Sequence, residues 1–280
     1  MPDDSAKNAK RAKAKWLRAE LQARLEREGY PEFANKLAAC GKPLPYTSTH
    51  CGSTHQAETK CMARHCPTCQ SMVSAERLAR WGAAVARLEN PLFLTLTLPN
   101  SEDPATLQRL KKAWQALRRR KLFRETVKGG VATYEVTNKG NGWHPHLHAV
   151  MDCEWLAIHT PKPEHWQPKE HKKELCARAK EEFTALWRHV IGEPTAITWI
   201  ARVHSAGIAR EILKYAAKGS DLVDSPQPVG PMLEVLKRTR TLAGWGRMFP
   251  LPSPDEDQRP LTECRNCGHT KTLLPTDLVW

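Results

Sequence analysis

Long apolar runs are missing from this sequence: nowhere do roughly eighteen apolar residues stand together, which excludes a membrane-spanning helix. An apolar leader is missing too. The first residues are charged, so no secretory signal is expected, and the chain is expected to work in the reducing cytoplasm with no membrane partner. Acid is in short supply, with 30 Asp and Glu against 43 Lys and Arg, a net charge of +13. So basic a balance favours a polyanionic partner, usually nucleic acid, because neutralised phosphates release counterions; a basic surface that only keeps the protein soluble is the plainer alternative. Phenols are scarce, at four: Tyr30, Tyr46, Tyr134 and Tyr215. No internal repeat is present.

The 280 residues, 40% of them hydrophobic, suffice for one large domain or two smaller ones. Nine cysteines in a reducing compartment point to metal ligands rather than disulfides. Residues 5 to 28 hold Ala, Lys, Arg, Leu and Glu with no Gly or Pro, and read as a basic, solvated helix. Cys40 to Cys69 shows little apolar periodicity and reads as a module knit by metal. A helical pattern runs from Ser71 to about Arg87. Leu92 to Leu98 then alternates between two prolines, a strand. A helix carrying Lys111, Lys112, Arg118, Arg119, Arg120 and Lys121 follows from about Asp103 to Leu122, then a strand from Val131 to Thr137. Asn138 to Gly142 reads as a turn into a partner strand. Beyond it are a helix from about Lys169 to Val190, a strand from Ala196 to Val203, and a helix capped by Ser205 and stopped at Gly219. Residues 224 to 260 hold one more helix. The order β-α-β-β-α-β predicts an α+β fold, a ferredoxin-like antiparallel sheet of split βαβ type with flanking helices.

His144, His146 and His148 occupy alternate positions of the segment Trp143-His144-Pro145-His146-Leu147-His148-Ala149-Val150-Met151. In a strand, side chains alternate faces, so the three imidazoles share one side and the apolar residues take the other. Such a row is half of a divalent-metal site. Imidazoles alone bind Mg²⁺ or Mn²⁺ poorly, so an oxygen ligand is expected. Glu135, on the preceding strand, is the candidate, with His144 as the other possible third ligand.

Tyr215 lies in Glu211-Ile212-Leu213-Lys214-Tyr215-Ala216-Ala217-Lys218. On a helix, Glu211 and Lys218 share the tyrosine's face. A phenol is a weak nucleophile at neutral pH, and a nearby cation lowers the cost of its phenolate. An ordinary packed helix explains these residues equally well taken alone. With the metal half-site they suit phosphoryl transfer, in which the tyrosine oxygen attacks phosphorus and a metal neutralises the growing charge.

These residues resemble the HUH endonucleases. His146-Leu147-His148 with the following Ala149, Val150 and Met151 resembles their histidine motif, Leu94-Thr95-Leu96-Thr97 their first strand motif, and Tyr215-Ala216-Ala217-Lys218 their single-tyrosine motif. Within that superfamily the plasmid rolling-circle replication initiators are most similar, through the histidine region, the tyrosine helix with Glu211 one turn ahead, and the cysteine region. The resemblance spans roughly residues 40 to 222. It implies an HUH-nuclease fold and metal-dependent nicking of one strand at a plasmid's double-strand origin, which includes a single-stranded hairpin. A covalent 5′-phosphotyrosine forms and a 3′-hydroxyl primer is freed. Glu211 is implied to activate water in the terminating cleavage, and a host helicase and DNA polymerase are the implied partners.

Cys66-Pro67-Thr68-Cys69 is a knuckle typical of structural Zn²⁺. Cys40 and Cys61 are favoured as the other ligands, with Cys51 or His65 as replacements. Cys264 and Cys267 form a second knuckle, followed by His269, whose role stays undecided; Cys153 and Cys176 read as ordinary thiols. The expected organisation is a basic helical region over 1–39, a zinc module over 40–70, an endonuclease domain over 71–222 and a C-terminal region over 223–280. Two other functions fit part of the pattern. An insertion-sequence transposase of the HUH type shares the cysteine and strand motifs but would carry a Gly-rich stretch where Asp152-Cys153-Glu154-Trp155 stands. A non-catalytic zinc-finger regulator explains the charge and cysteines but not the histidine row.

Overall fold

The computed structural model describes residues 4–47, 51–203 and 219–248. Helices α1 (Asp4–Arg27) and α2 (Pro31–Ala38) lead into a hairpin of β1 (Pro43–Thr47) and β2 (Thr54–Glu58), then helix α3 (Gln70–Ala86). Next come β3 (Pro91–Thr97), α4 (Thr106–Arg118), α5 (Lys121–Thr126), β4 (Val127–Asn138), β5 (Trp143–Cys153), α6 (Lys169–Ile191) and β6 (Thr198–Arg202). Two short helices, Gly219–Val223 and Val229–Lys237, precede β7 (Leu242–Gly246). The fold is α+β. Its main sheet has five antiparallel strands in the order β6-β3-β5-β4-β7.

The sheet's two faces follow from alternation. Leu94, Leu96, Leu147, Ala149, Tyr134 and Val136 point to one face and meet Leu107, Leu110, Trp114 and Leu117 of α4 and Phe183 and Trp187 of α6 in the main core. On the other face, Phe93, Val131 and Val150 pack under Trp81 and Val85 of α3. Only half of that second face is apolar. Toward the β4–β5 turn it carries the three histidines instead.

Pro145 sits inside β5, a central strand, where a missing N–H would normally cost a ladder bond. Here the β3 ladder ends one pair earlier, at Thr97 opposite His146. Leu98 N–H donates to the Pro145 carbonyl at 3.4 Å just beyond it. The proline therefore sits between His144 and His146 without breaking the sheet.

Several elements differ from expectation. The single helix expected to Leu122 is two, because Arg120 is extended (ψ 149°) between α4 and α5. A continuous helix would carry the buried stripe from Leu117 onto Arg120 or Lys121; the break rephases the chain so that Leu122 and Phe123 are buried instead. Strand β7 and the β1–β2 hairpin were not legible in the sequence. Gly244 and Gly246 give β7 little strand propensity, and Pro43 and Pro45 disguise β1. β7 forms because Gly130 lets the Trp245 indole lie across β4, where a Cβ would meet its ring at 2.8 Å.

Helix α1 is basic, as expected, but not wholly solvated. Leu21 and Leu25 are fully buried. Between them, Arg24 gives Nη1 to the carbonyls of Leu222 (3.2 Å), Val223 (3.0 Å) and Ser225 (2.6 Å) and Nη2 to Gln227 (2.7 Å). Glu28 accepts from the N–H groups of Val229 and Gly230 at 2.7 and 2.8 Å, which supplies the start of helix Val229–Lys237 with its missing acceptor. One arginine thus ends a helix 200 residues downstream. Arg24→Ala strips partners from these carbonyls and is expected to cost about 3 kcal/mol, read as a lowered midpoint in urea unfolding.

Candidate active site and cysteine cluster

The register of the sheet assembles the histidine row. In β5, His148 lies between Thr95 of β3 and Thr133 of β4, and His146 lies between Thr97 and Glu135. His144 lies opposite Thr137. All these side chains are on the face that α3 only half covers. The rings of His144 and His146 are 4.1 Å apart, and those of His146 and His148 are parallel at 5.9 Å.

Glu135 is directly opposite His146 but reaches diagonally, placing Oε2 3.3 Å from Nε2 of His148. Thr95 Oγ1 is 3.0 Å from Nδ1 of the same ring. With that hydroxyl accepting from Nδ1–H, Nε2, on the side of Glu135, is the atom left for a cation that the carboxylate would share. Thr137 Oγ1 is 2.9 Å from Nε2 of His146, a bond that ligation through that atom would replace. Burial first, and Lys139 second, lowers the pKa of His144, which favours the neutral imidazole that ligation needs. The threonines were not singled out from the sequence. The signal was present in Leu94-Thr95-Leu96-Thr97, where alternation turns both hydroxyls to the histidine side.

The face can bind a cation through nitrogen and carboxylate donors, or an anion through protonated imidazoles. Tyr215, Lys218 and Glu211 lie outside the described residues, as do Cys264, Cys267 and His269.

Away from this face, Cys40, Cys61, Cys66 and Cys69 bring their sulfurs within 4.8 Å of one another and can hold a metal ion such as zinc. Cys40 to Cys69 is 3.4 Å, Cys66 to Cys40 3.7 Å and Cys61 to Cys69 3.9 Å. Four sulfurs at the ~2.3 Å Zn–S distance of a tetrahedral site would stand about 3.8 Å apart. Three elements converge to make this cluster: Cys40 follows α2, Cys61 follows β2, and Cys69 caps α3. Met62 adopts a left-handed backbone (φ 50°), and its N–H donates to the Cys69 sulfur. Without a cation, Cys66 and Cys69 resist ionisation. Bonding to Cys61 and burial push Cys66 up, and burial and Cys66 push Cys69 up to about 11. A dication reverses that penalty.

Cys51 is exposed, with Sγ 2.9 Å from Ser53 Oγ, and is not one of the four. His65 is not a member either. It is buried against Phe33, its Nε2 has no hydrogen-bond partner, and burial, then Lys36, lowers its pKa to about 4. Since the folded value lies below the unfolded one, its contribution is complete above pH 6.5 and is lost as pH falls through about 4. Relative to His65→Phe, the wild type should lose about 3 kcal/mol of stability from pH 7 to pH 4 in denaturant titrations.

Residues 53–155 match the family described as replication protein. The matched stretch begins just before β2, passes through three of the clustered cysteines and ends after the histidine strand. No curated protein and no solved structure matches the chain. The family match supports a plasmid replication protein. No described helix is long and apolar enough to cross a membrane.

Proposed function

We propose that this protein initiates plasmid rolling-circle replication by nicking one DNA strand through Tyr215, with His146, His148 and Glu135 as ligands for Mg²⁺ or Mn²⁺. The observation that carries this reading is the pairing of Glu135 Oε2 with His148 Nε2 at 3.3 Å inside a row of imidazoles. Two nitrogen donors and a carboxylate on one sheet face fit a divalent ion that also needs room for phosphate oxygens. The strand order β6-β3-β5-β4, all antiparallel, is the order of a split βαβ sheet, which favours the HUH-type, ferredoxin-like reading.

When bound, the ion supplies Lewis-acid neutralisation of the scissile phosphate. The chain's own residues do the rest. Thr95 orients the His148 ring through Nδ1, and Glu135 stands beside its Nε2. Lys218, one helical turn beyond Tyr215 on the expected helix, lowers the cost of phenolate. The Tyr215 oxygen bonds to phosphorus as the P–O3′ bond breaks. The electron pair leaves on O3′, which takes a proton to become the primer hydroxyl, and the 5′-phosphate stays on Tyr215. Glu211 then serves as base for water in the terminating cleavage.

Gly219, expected to stop a helix, is itself helical as the first residue of Gly219–Val223, and Leu222 of that helix is in the main core. The rest of the helix expected from Ser205 lies outside the described residues. Asn138, at the end of β4, donates to Ser225 (2.9 Å) and Gln227 (2.6 Å).

Two measurements test the proposal. Supercoiled plasmid bearing the cognate origin should be nicked only with Mn²⁺ or Mg²⁺, leaving protein on the 5′ end. An absence of nicking on any origin favours the regulator, and joining of element ends favours the transposase. Thr95→Val keeps the side-chain shape but removes the partner of Nδ1. It should weaken Mn²⁺ binding about 10–100-fold in calorimetric titration while leaving the melting temperature nearly unchanged.

A further inference from the structure

We propose that the Trp199 indole is a stacking platform for a base of the DNA strand whose phosphate lies at the histidine row. The inference rests on the reading above for the identity of the site, but its structural basis is separate. Trp199 pairs with Thr95 across β3, so it faces the same side as His148. Rings run continuously across the sheet. His148 stacks on Phe93 at 5.8 Å with planes 24° apart, and Phe93 meets Trp199 edge to face at 5.3 Å. The buried member is Phe93. The far end of the row is in solvent, with Trp199 54% exposed.

The exposure has a local cause. Among the described residues β6 is the edge of the sheet, with β3 as its one partner. Ile197, two residues earlier and 65% exposed, ties back to β3 only through its carbonyl, which accepts from Thr97 N–H and Oγ1 at 3.3 Å each. An indole anchored against a buried phenylalanine and more than half exposed is placed to receive a flat ring.

Its occupant is a nucleobase. The chain carries +13, which draws a polyanion rather than an acid-poor protein surface. Two exposed side chains are too small a patch for a stable protein interface, whereas one aromatic face suffices for a base. Trp199 is two interstrand spacings, about 10 Å, from His148. At the ~3.4 Å rise of a stacked strand this is about three nucleotides from the phosphate. The platform would hold the strand taut across the imidazoles. It would recognise a π-face rather than a base identity, so origin choice would reside elsewhere.

The test uses the full chain, a fluorescein-labelled oligothymidine and the same oligonucleotide with abasic sugars, without added Mg²⁺ or Mn²⁺. Trp199→Ala should weaken oligothymidine binding about tenfold in anisotropy titrations, and Trp199→Phe should recover most of it. On the abasic strand, which keeps every phosphate, the three proteins should bind alike. Equal affinity of Trp199→Ala and the wild type for oligothymidine overturns the platform. So does an equal loss on the abasic strand, which would signal a general defect, or a dimer that Trp199→Ala converts to monomer, which would assign the face to a second copy of the chain. Nicking of origin plasmid is scored separately. Base-dependent binding through Trp199 without any covalent adduct leaves the platform standing and removes the nuclease reading, and the converse result does the opposite.

Discussion

Tyr215→Phe should abolish the covalent protein–DNA adduct and lower strand cleavage by at least about 10⁴-fold, with oligonucleotide affinity unchanged within about twofold. The effect is so large because neither Tyr134 nor Tyr30 can substitute. Tyr134 is on β4, next to Glu135 in sequence, yet alternation turns it to the opposite face. There it is buried in the main core, and burial pushes its phenol well above the ordinary tyrosine range. Tyr30 packs near Phe33, and its ring would collide with any Cβ placed on Gly230. The check is a denaturing gel of 5′-labelled origin DNA, followed by mass spectrometry of the nucleotide-bearing peptide. An adduct that persists in Tyr215→Phe, or maps to a peptide containing Tyr46, would sink the assignment.

Cys66→Ser is expected to remove one equivalent of zinc and to lower the melting temperature by more than about 10 °C, or to prevent soluble expression. Structural zinc contributes binding free energy of about 10–16 kcal/mol in small modules, which is comparable with the whole stability of a domain. The cluster is also a structural junction. Arg64, between two of its ligands, donates to the Thr239 carbonyl at 2.7 Å, and Cys69 starts the helix that covers the second face of the sheet. Loss of the ion should therefore loosen α3 over Phe93 and Val150 as well as the knuckle. Metal analysis and thermal melts of Cys66→Ser beside Cys51→Ser check this: the second variant should keep its zinc and its melting temperature, because Cys51 stands apart from the four sulfurs. A Cys66→Ser protein that retains stoichiometric zinc would show that the four sulfurs are not one site.

The imidazole face was legible in the sequence. Strand alternation was enough to put the three imidazoles on one side of β5; it also turns Thr95 and Thr97 to one side of β3, but only the pairing of the strands matches those two sides. The favoured cysteine set, Cys40, Cys61, Cys66 and Cys69, is the one that converges. What escaped was non-local. Nothing in Leu242-Ala243-Gly244-Trp245-Gly246 advertises a strand, since its stability comes from Trp245 crossing Gly130 rather than from propensity. The exposed stretch of α1 masks an arginine that closes a helix 200 residues away.

Which side chains share a face is a local property, because the period of a strand or helix belongs to the backbone and needs no partner. The charge that draws a polyanion and the knuckle spacing that suits zinc are equally local. Which of those faces meet is settled by packing across the whole chain. The diagonal reach of Glu135 to His148, the hydroxyl of Thr95 on the other nitrogen, and the ring row that ends at an exposed Trp199 all depend on register between strands. Register is fixed by burying Leu94, Leu147 and Val136 together on the far side of the sheet. That is a collective choice of the core, and no short segment of the chain contains it.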